Sequence, residues 1–509
     1  MPYFNFNKNT YEALPDLFWK KQAPRSFNDP NMIVFNHKLA TQLGIDTSLE
    51  KHPHILASGG MPSQDHAQPT MEINNSKSAP EYNNMLLTMA YAGYQFGHFS
   101  MLGDGRAALI GEHITPKGER YDIQLKGLGT TPFSRRGDGM ASLSPMLREY
   151  IVSEFLAATG IPTSRSLSVV TTGESVYRTQ IEPGAVLTRI AKSHVRIGTF
   201  NYAHAYGQLS DIRALADYAI LRHYPELLSP NEELITPPEQ NTPDIYLSFF
   251  RKVVSAQAKL IAQWQCIGFL HGVMNTDNTS ISGESLDFGP CAFLDTYDPR
   301  AVFSSIDING RYAYQNQPSI MLWNLARFAE ALLPLFDNDQ NKAVILGQKE
   351  LATFMPSYND NYLNGMRAKL GLLKYKEEKE DTSLIQDLLN IMKVHKLDYT
   401  NTFIELLKGE GNFFELEQSQ IWLSQWHKRL DSQTSSNNSR SNILELAVKN
   451  NPKVIPRNHL MDQALTLAEK GNMESFYNLL TAIQNPYNSS PNHMEPPEPS
   501  YQCVTYCGT

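Results

Sequence analysis

Asp277 and Asn278 stand side by side, and Asp287 follows ten residues later at the head of an Asp-Phe-Gly triplet, all within residues 271–289, HGVMNTDNTSISGESLDFG. Transfer of a phosphate-containing group from ATP needs a carboxylate to take the nucleophile's proton, oxygen ligands for a metal, and cations for the phosphates. In this order Asp277 has the chemistry of the base, and Asn278 and Asp287 that of oxygen ligands to magnesium. A lone carboxylate in such a place is more often a turn or helix cap, but His-Gly, Asp-Asn and DFG in sequence form a far more specific set. Upstream, Lys126 ends the strand-like YDIQLK and Glu149 falls in the first turns of a helix. A strand lysine paired with a helix glutamate turns its ammonium towards phosphate in kinase-like sites. Residues 102–107, LGDGRA, and 134–139, SRRGDG, offer glycines whose backbone can approach a ligand closely. Neither matches a Walker A or dinucleotide fingerprint. Arg189 and Arg196, seven residues apart, could give bidentate phosphate contacts, although an arginine is more often a solvated surface charge.

These residues need elements to hold them. ALIGEH and YDIQLKG are short, apolar and bounded by glycine, which predicts strands. Ser144-Pro145 predicts a helix start, followed by Leu147, Ile151, Val152, Phe155 and Leu156 at helical spacing and a stop at Gly160. Val253, Ala256, Leu260, Ile261, Trp264 and Ile267 make an apolar stripe leading directly into the Asp277 loop. A further helix is expected from Pro318, and helical patterns resume over 460–480. The polar stretch 57–84 reads as a loop or insertion, 430–442 as a flexible linker and 485–500 as an irregular tail.

Bulk properties narrow the function classes. With 509 residues, 41% hydrophobic and 19% charged, the chain is long enough for two to four domains or lobes of ordinary globular composition. A net charge of −8 argues against a nucleic-acid partner. Four cysteines do not make a disulfide scaffold. The first residues lack signal- or transit-peptide character, and no apolar run approaches 18 residues, so the expected compartment is the cytoplasm, with no membrane partner.

The run YAGYQFG…LGDGRA…QLKGLGTTPFSRRGDG…LREYIVSEFL…VLTRIAKSHVRIGTF…HGVMNTDN…DFGP resembles the selenoprotein O (SelO/YdiU) family, densely from about Tyr91 to Leu333. The resemblance implies an α+β, protein-kinase-like bilobal fold, with a small strand-containing N-lobe, a larger helical C-lobe and terminal extensions. The corresponding division is 1–84 for an N-terminal extension and polar loop, 85–205 for the N-lobe, 206–430 for the C-lobe, and 431–509 for linker and C-terminal extension. It also implies a protein adenylyltransferase that moves AMP from ATP to Ser, Thr or Tyr hydroxyls of target proteins, with ATP flipped relative to kinases. Magnesium is the implied metal; manganese, and UTP as donor, stay open. By the same resemblance Gly103, Gly105 and Arg106 cover the nucleotide, and Lys126, oriented by Glu149, contacts the phosphates with Arg189 and Arg196. Asp138 and Gly139 line the nucleotide site, Asp277 accepts the proton, Asn278 and Asp287 bind the metal, and Asp287 also contacts ATP. A γ-phosphotransferase and a non-catalytic nucleotide-binding scaffold are the competing readings; Asp277, Asn278 and Asp287 together weigh against the scaffold. Tyr94 departs from the family's histidine and is expected to pack. The family's C-terminal selenocysteine or cysteine falls on Cys507, whose expected state is either a bridge to Cys503 or Cys291 or a free thiol on a tail.

Overall fold

Eight strands form one antiparallel sheet, and both of its edges come from the beginning of the chain. In chain order the strands of this sheet and of a nearby hairpin are β1 (Phe6–Asn7), β2 (Trp19–Gln22), β3 (Asn31–Phe35), β4 (Leu86–Met89), β5 (Ala92–Gln95), β6 (His98–Met101), β7 (Ala107–Ile114), β8 (Arg120–Lys126), β9 (Arg165–Tyr177) and β10 (Ile181–Ala191), with helices α1 (His37–Leu43) and α2 (Pro53–Ser58) between β3 and β4. The sheet runs β2-β4-β7-β8-β10-β9-β3, with β1 added to β7, while β5 and β6 form a separate hairpin. Residues 1–84, expected as an N-terminal extension and polar loop, thus contribute three strands to the same sheet as residues 85–205. The computed structural model describes residues 3–7, 9–60, 85–178, 180–228, 242–373, 378–434, 439–488 and 490–506. It is a mixed helix-and-sheet protein.

The expected strands form β7 and β8, and they turn through Gly118 at φ 83°. The helix expected from Ser144 begins earlier. α3 spans Leu143–Ala158 with Ser142 in the cap position. Ser142 bridges to Gly184 of the sheet, which delivers the chain already in place to turn. Pro145 then sits third in the helix, where a missing N–H costs nothing because first-turn N–H groups have no intrahelical acceptor. Gly160 follows the end at φ 77°, as a helix stop requires. α3 is buried nearly all round: it rests on β9 and β10, and helices Asn458–Glu469 and Glu474–Ile483 cover its other side.

After β10 the chain is mostly helical, with α4 (Ile197–Tyr206), α5 (Leu209–His223), α6 (Pro243–Cys266) and α7 (Gln317–Phe336), while the short antiparallel strands β11 (Phe269–Leu270) and β12 (Ala292–Phe293) bracket the Asp277–Asp287 loop. The α6 stripe is buried at Val253, Leu260, Ile261 and Trp264, where helices α7 and Phe354–Leu370 pack, with Ala256 and the C-cap residue Ile267 half-buried at the margin. Residues 314–336, which include α7, have the length and mean hydropathy of a membrane-crossing helix, although Asn324, Arg327 and Glu330 break any apolar run; half of its most apolar 18-residue stretch is buried inside the protein. Two loop expectations shrink. Ala57 and Ser58 end the buried helix Pro53–Ser58, and 61–84 lie outside the described residues. Within the expected linker, Leu430 is fully buried at the end of helix Glu417–Ser432 and Gln433 donates to Gly371 O, while helix Arg440–Val448 has begun by its end; 435–438 are not among the described residues.

Candidate active site

Period-2 alternation puts Gln124 and Lys126 of β8 on one face of the sheet, and Arg189 of β10 is registered directly opposite Gln124. α3 crosses beneath and presents Glu149. Lys126 Nζ lies 2.7 Å from Glu149 Oε2 and 2.9 Å from Asp287 Oδ1. Arg189 donates to Glu149 Oε1 at 3.1 Å, to Gln124 Oε1 at 2.6 Å and to Asp287 Oδ1. Arg196, at the N-terminal boundary of α4, takes the other oxygen of Asp287 at 2.7 Å and the backbone carbonyl of Asp277 at 2.7 Å. One carboxylate is therefore ringed by three cations. Burial alone would raise the Asp287 carboxyl, but Arg189, Lys126 and Arg196 hold it well below the usual range. Asp287 also has φ 64°, a left-handed conformation unusual for a residue with a side chain and typical of functional positions. His271 supports this turn from behind. It is stacked on Trp264 and bonded through Nε2 to Leu286 O at 2.8 Å.

Asp277 sits in a short turn after Asn275, only 7% exposed. Its carboxyl is raised to about 6, because burial outweighs the attraction of Arg196. Above that pH it is a carboxylate able to take a proton. The β5–β6 hairpin lies over it. Gln95 Nε2 donates to both Asp277 oxygens at 3.0 Å. The Tyr94 N–H donates to Thr276 Oγ1 at 3.1 Å, and the Phe96 N–H to Asn275 Oδ1 at 3.2 Å. The Tyr94 ring packs on Phe99 and Trp323, as expected of a packing residue.

The two glycine turns form the outer wall. Gly103 has φ 114°, and a Cβ there would meet the Phe133 ring at 2.6 Å. A Cβ on Gly139 would overlap the Gly129 carbonyl oxygen, so the turns pack by bare backbone contact. Asp138 pairs with Arg178 at 2.8 Å and accepts the Met140 N–H at 2.9 Å; the Arg178 hydrogen bond lowers its carboxyl. Asp104, between the glycines, accepts from Met89 N and from Gln124 Nε2 at 3.1 Å, so a chain of hydrogen bonds runs from this loop through Gln124 and Arg189 to Asp287.

Gly103, Gly105, Arg106, Lys126, Asp138, Gly139, Arg189, Arg196, Asp277, Asn278 and Asp287 all line one cleft, and Glu149 lies behind it against Lys126 and Arg189. Gln95, Tyr91 and Asp104 share that cleft; they lie in the YAGYQFG and LGDGRA runs but were not among the expected site residues. Arg196 stacks over the Tyr91 ring at 4.6 Å. For a metal, Asn278 donates its amide to Val273 O at 3.0 Å, which leaves Oδ1 accepting nothing among the described residues. With Asp287 it offers two hard oxygen donors, the set that suits magnesium completed by phosphate oxygens and water. No cluster of three or more His, Cys, Asp or Glu able to hold a metal occurs among the described residues. Cys266, Cys291 and Cys503 are free thiols, and Cys507 is not among the described residues.

Residues 4–484 match the family model described as "Protein adenylyltransferase SelO". The chain is 47% identical to the protein nucleotidyltransferase YdiU of Brevibacillus brevis, covering 100% of this chain and 98% of that protein. It is 48% identical to the proteins of that name from Alkaliphilus metalliredigens, with 98% and 97% covered, and Clostridium botulinum, with 99% and 97% covered.

Proposed function

The chain belongs to the SelO family and is a protein nucleotidyltransferase, and from that premise we propose that it transfers AMP from ATP to Ser, Thr or Tyr hydroxyls of target proteins, on a protein-kinase-like bilobal scaffold. The observation that carries this reading is the ring of Lys126, Arg189 and Arg196 around Asp287, in the cleft shared with Asp277. A carboxylate holding three cations in an otherwise acidic protein marks a seat for a polyanion.

The steps follow from these groups. Asp277 takes the proton of the acceptor hydroxyl as its oxygen bonds to the α-phosphorus. The bond from that phosphorus to the α–β bridging oxygen breaks, and pyrophosphate leaves with the charge that Lys126, Arg189 and Arg196 neutralise. Asn278 and Asp287 would hold magnesium, or manganese, which supplies further charge neutralisation on the phosphates. Glu149 keeps Lys126 aimed, and Gly103, Gly105, Arg106, Asp138 and Gly139 would enclose the nucleotide. UTP with manganese belongs to the same proposal as a second donor.

ATP labelled at the α- or the γ-phosphate tests the reading. Label entering protein from the α position, with pyrophosphate released, is expected. Entry from the γ position alone would make the chain a phosphotransferase and overturn it.

A further inference from the structure

Beside the Asp277 loop lies an open groove of about 600 Å³, lined by Phe96, Ile306, Asp307, Ile308, Asn309 and Arg311 together with residues at the start of α7. Resting on the reading above, we infer that this groove receives the acceptor segment of the target protein, gripping a bulky apolar side chain and an adjacent acidic one within a few residues of the acceptor hydroxyl.

Three observations converge. The groove is continuous with the base. Phe96 follows Gln95, whose amide covers Asp277; the Phe96 N–H bonds Asn275 Oδ1, and its ring packs at 5.1 Å on Tyr312, whose hydroxyl also reaches Asn275. A chain lying in the groove therefore passes next to the hairpin that stands between solvent and the Asp277 carboxylate.

The groove is also apolar where a soluble surface should not be. Ile308 is 91% exposed and Ile306 50%, two β-branched side chains on one short turn that the described residues leave open to solvent.

Its charge is one-sided. The Arg311 guanidinium stacks at 4.9 Å on Trp323 and pairs with no carboxylate among the described residues, and its Nε is buried without a partner. The acid lining the same groove, Asp307, is already occupied by the backbone N–H groups of Arg311 at 2.8 Å and Tyr312 at 2.7 Å. An incoming Asp or Glu would thus meet a cation that lacks a counter-ion, and an incoming Lys or Arg would be repelled.

Fluorescein-labelled peptides with one Tyr acceptor and a neighbouring Leu-Glu or Leu-Lys doublet test this by anisotropy against the full chain. The Leu-Glu peptide is expected to bind about tenfold tighter, the discrimination one interface charge commonly gives. Ile308→Asp is expected to weaken both peptides, and Arg311→Glu to invert the preference. Ile308 is so exposed that its replacement leaves the core intact, and an unchanged melting temperature and nucleotide affinity check this for both variants. Equal binding of the two peptides, or affinities unmoved by Ile308→Asp and Arg311→Glu, overturns the inference. Incorporation of the α-phosphate label is scored separately. Peptides that bind in the expected order yet take up no label leave the groove standing and remove the transfer reading.

Discussion

Gln95 donates its side-chain amide to both carboxylate oxygens of Asp277, at 3.0 Å each, from a hairpin 182 residues away in sequence. Gly93 of the same hairpin packs so closely that a Cβ there would overlap Asp277 Oδ1. The hairpin and the catalytic turn therefore fix each other. In the proposed reaction the acceptor hydroxyl donates to a carboxylate that the Gln95 amide already holds.

Gly93→Ala is accordingly expected to displace Asp277 and lower AMP transfer by about 10²-fold, the cost of roughly 1 Å of misplacement. Nucleotide affinity, read with a fluorescent ATP analogue, should stay within error of the parent protein. Parental turnover in this variant would mean that the hairpin does not rest on Asp277 during the reaction.

The pH dependence follows from the raised Asp277 carboxyl at about 6. The base works deprotonated, so kcat/KM should be flat above pH 7 and fall with decreasing pH through 6, approaching tenfold per unit below about 5. Asp104 is raised to the same region by burial, and Asp104→Asn separates the two. The acid limb should survive that change, whereas Asp277→Asn should remove about 10²–10⁴ of the rate at all pH values. An acid limb that vanishes with Asp104→Asn would assign the titration to the glycine loop.

Asp287→Ala leaves Lys126, Arg189 and Arg196 facing one another with Glu149 as the remaining acid in contact with two of them. Removing one partner of a buried ion-pair cluster costs about 3–5 kcal/mol, so the melting temperature should drop. Pyrophosphate without metal should then raise it more in this variant than in the parent protein, because the polyanion replaces the lost carboxylate. Transfer should be abolished. Equal pyrophosphate stabilisation of both proteins would remove this cluster as the phosphate seat.

Chelation is the simplest test of the metal. EDTA should stop transfer, and magnesium or manganese should restore it. Asn278→Ala should raise the metal concentration needed for half-maximal transfer by about tenfold, as loss of a metal-supporting group commonly does. Transfer that persists in EDTA would show that the three cations suffice.

Much of the cleft was legible because its parts are local. The order Asp277, Asn278, Asp287 lies within one loop, and Lys126 and Glu149 are each placed by the pattern of their own strand or helix. The residues missed act across long sequence gaps. Gln95 is an unremarkable polar residue until a hairpin brings it over Asp277, and Gln124 gains its place only by facing Arg189 across two strands. The helix start was misplaced for a similar reason: Ser144-Pro145 is a strong local signal, but the bridge of Ser142 to Gly184 turns the chain sooner. Sheet edges were not legible either, since β2 and β3 pair with β4 and β9, partners far along the chain that no local pattern announces.

Those two edges have a consequence for synthesis. β2 and β3 are made before their partners: β2 waits for β4 to emerge, and β3 pairs with residues of β9 up to Thr171. Until then the earliest strands carry unsatisfied backbone groups, the kind that recruit a neighbouring chain. Nascent chains stalled before β9 should be cut by protease across residues 31–35, and chains stalled after β10 should be protected there. β3 is secured only long after it is made, which gives a holding chaperone a defined window on this protein.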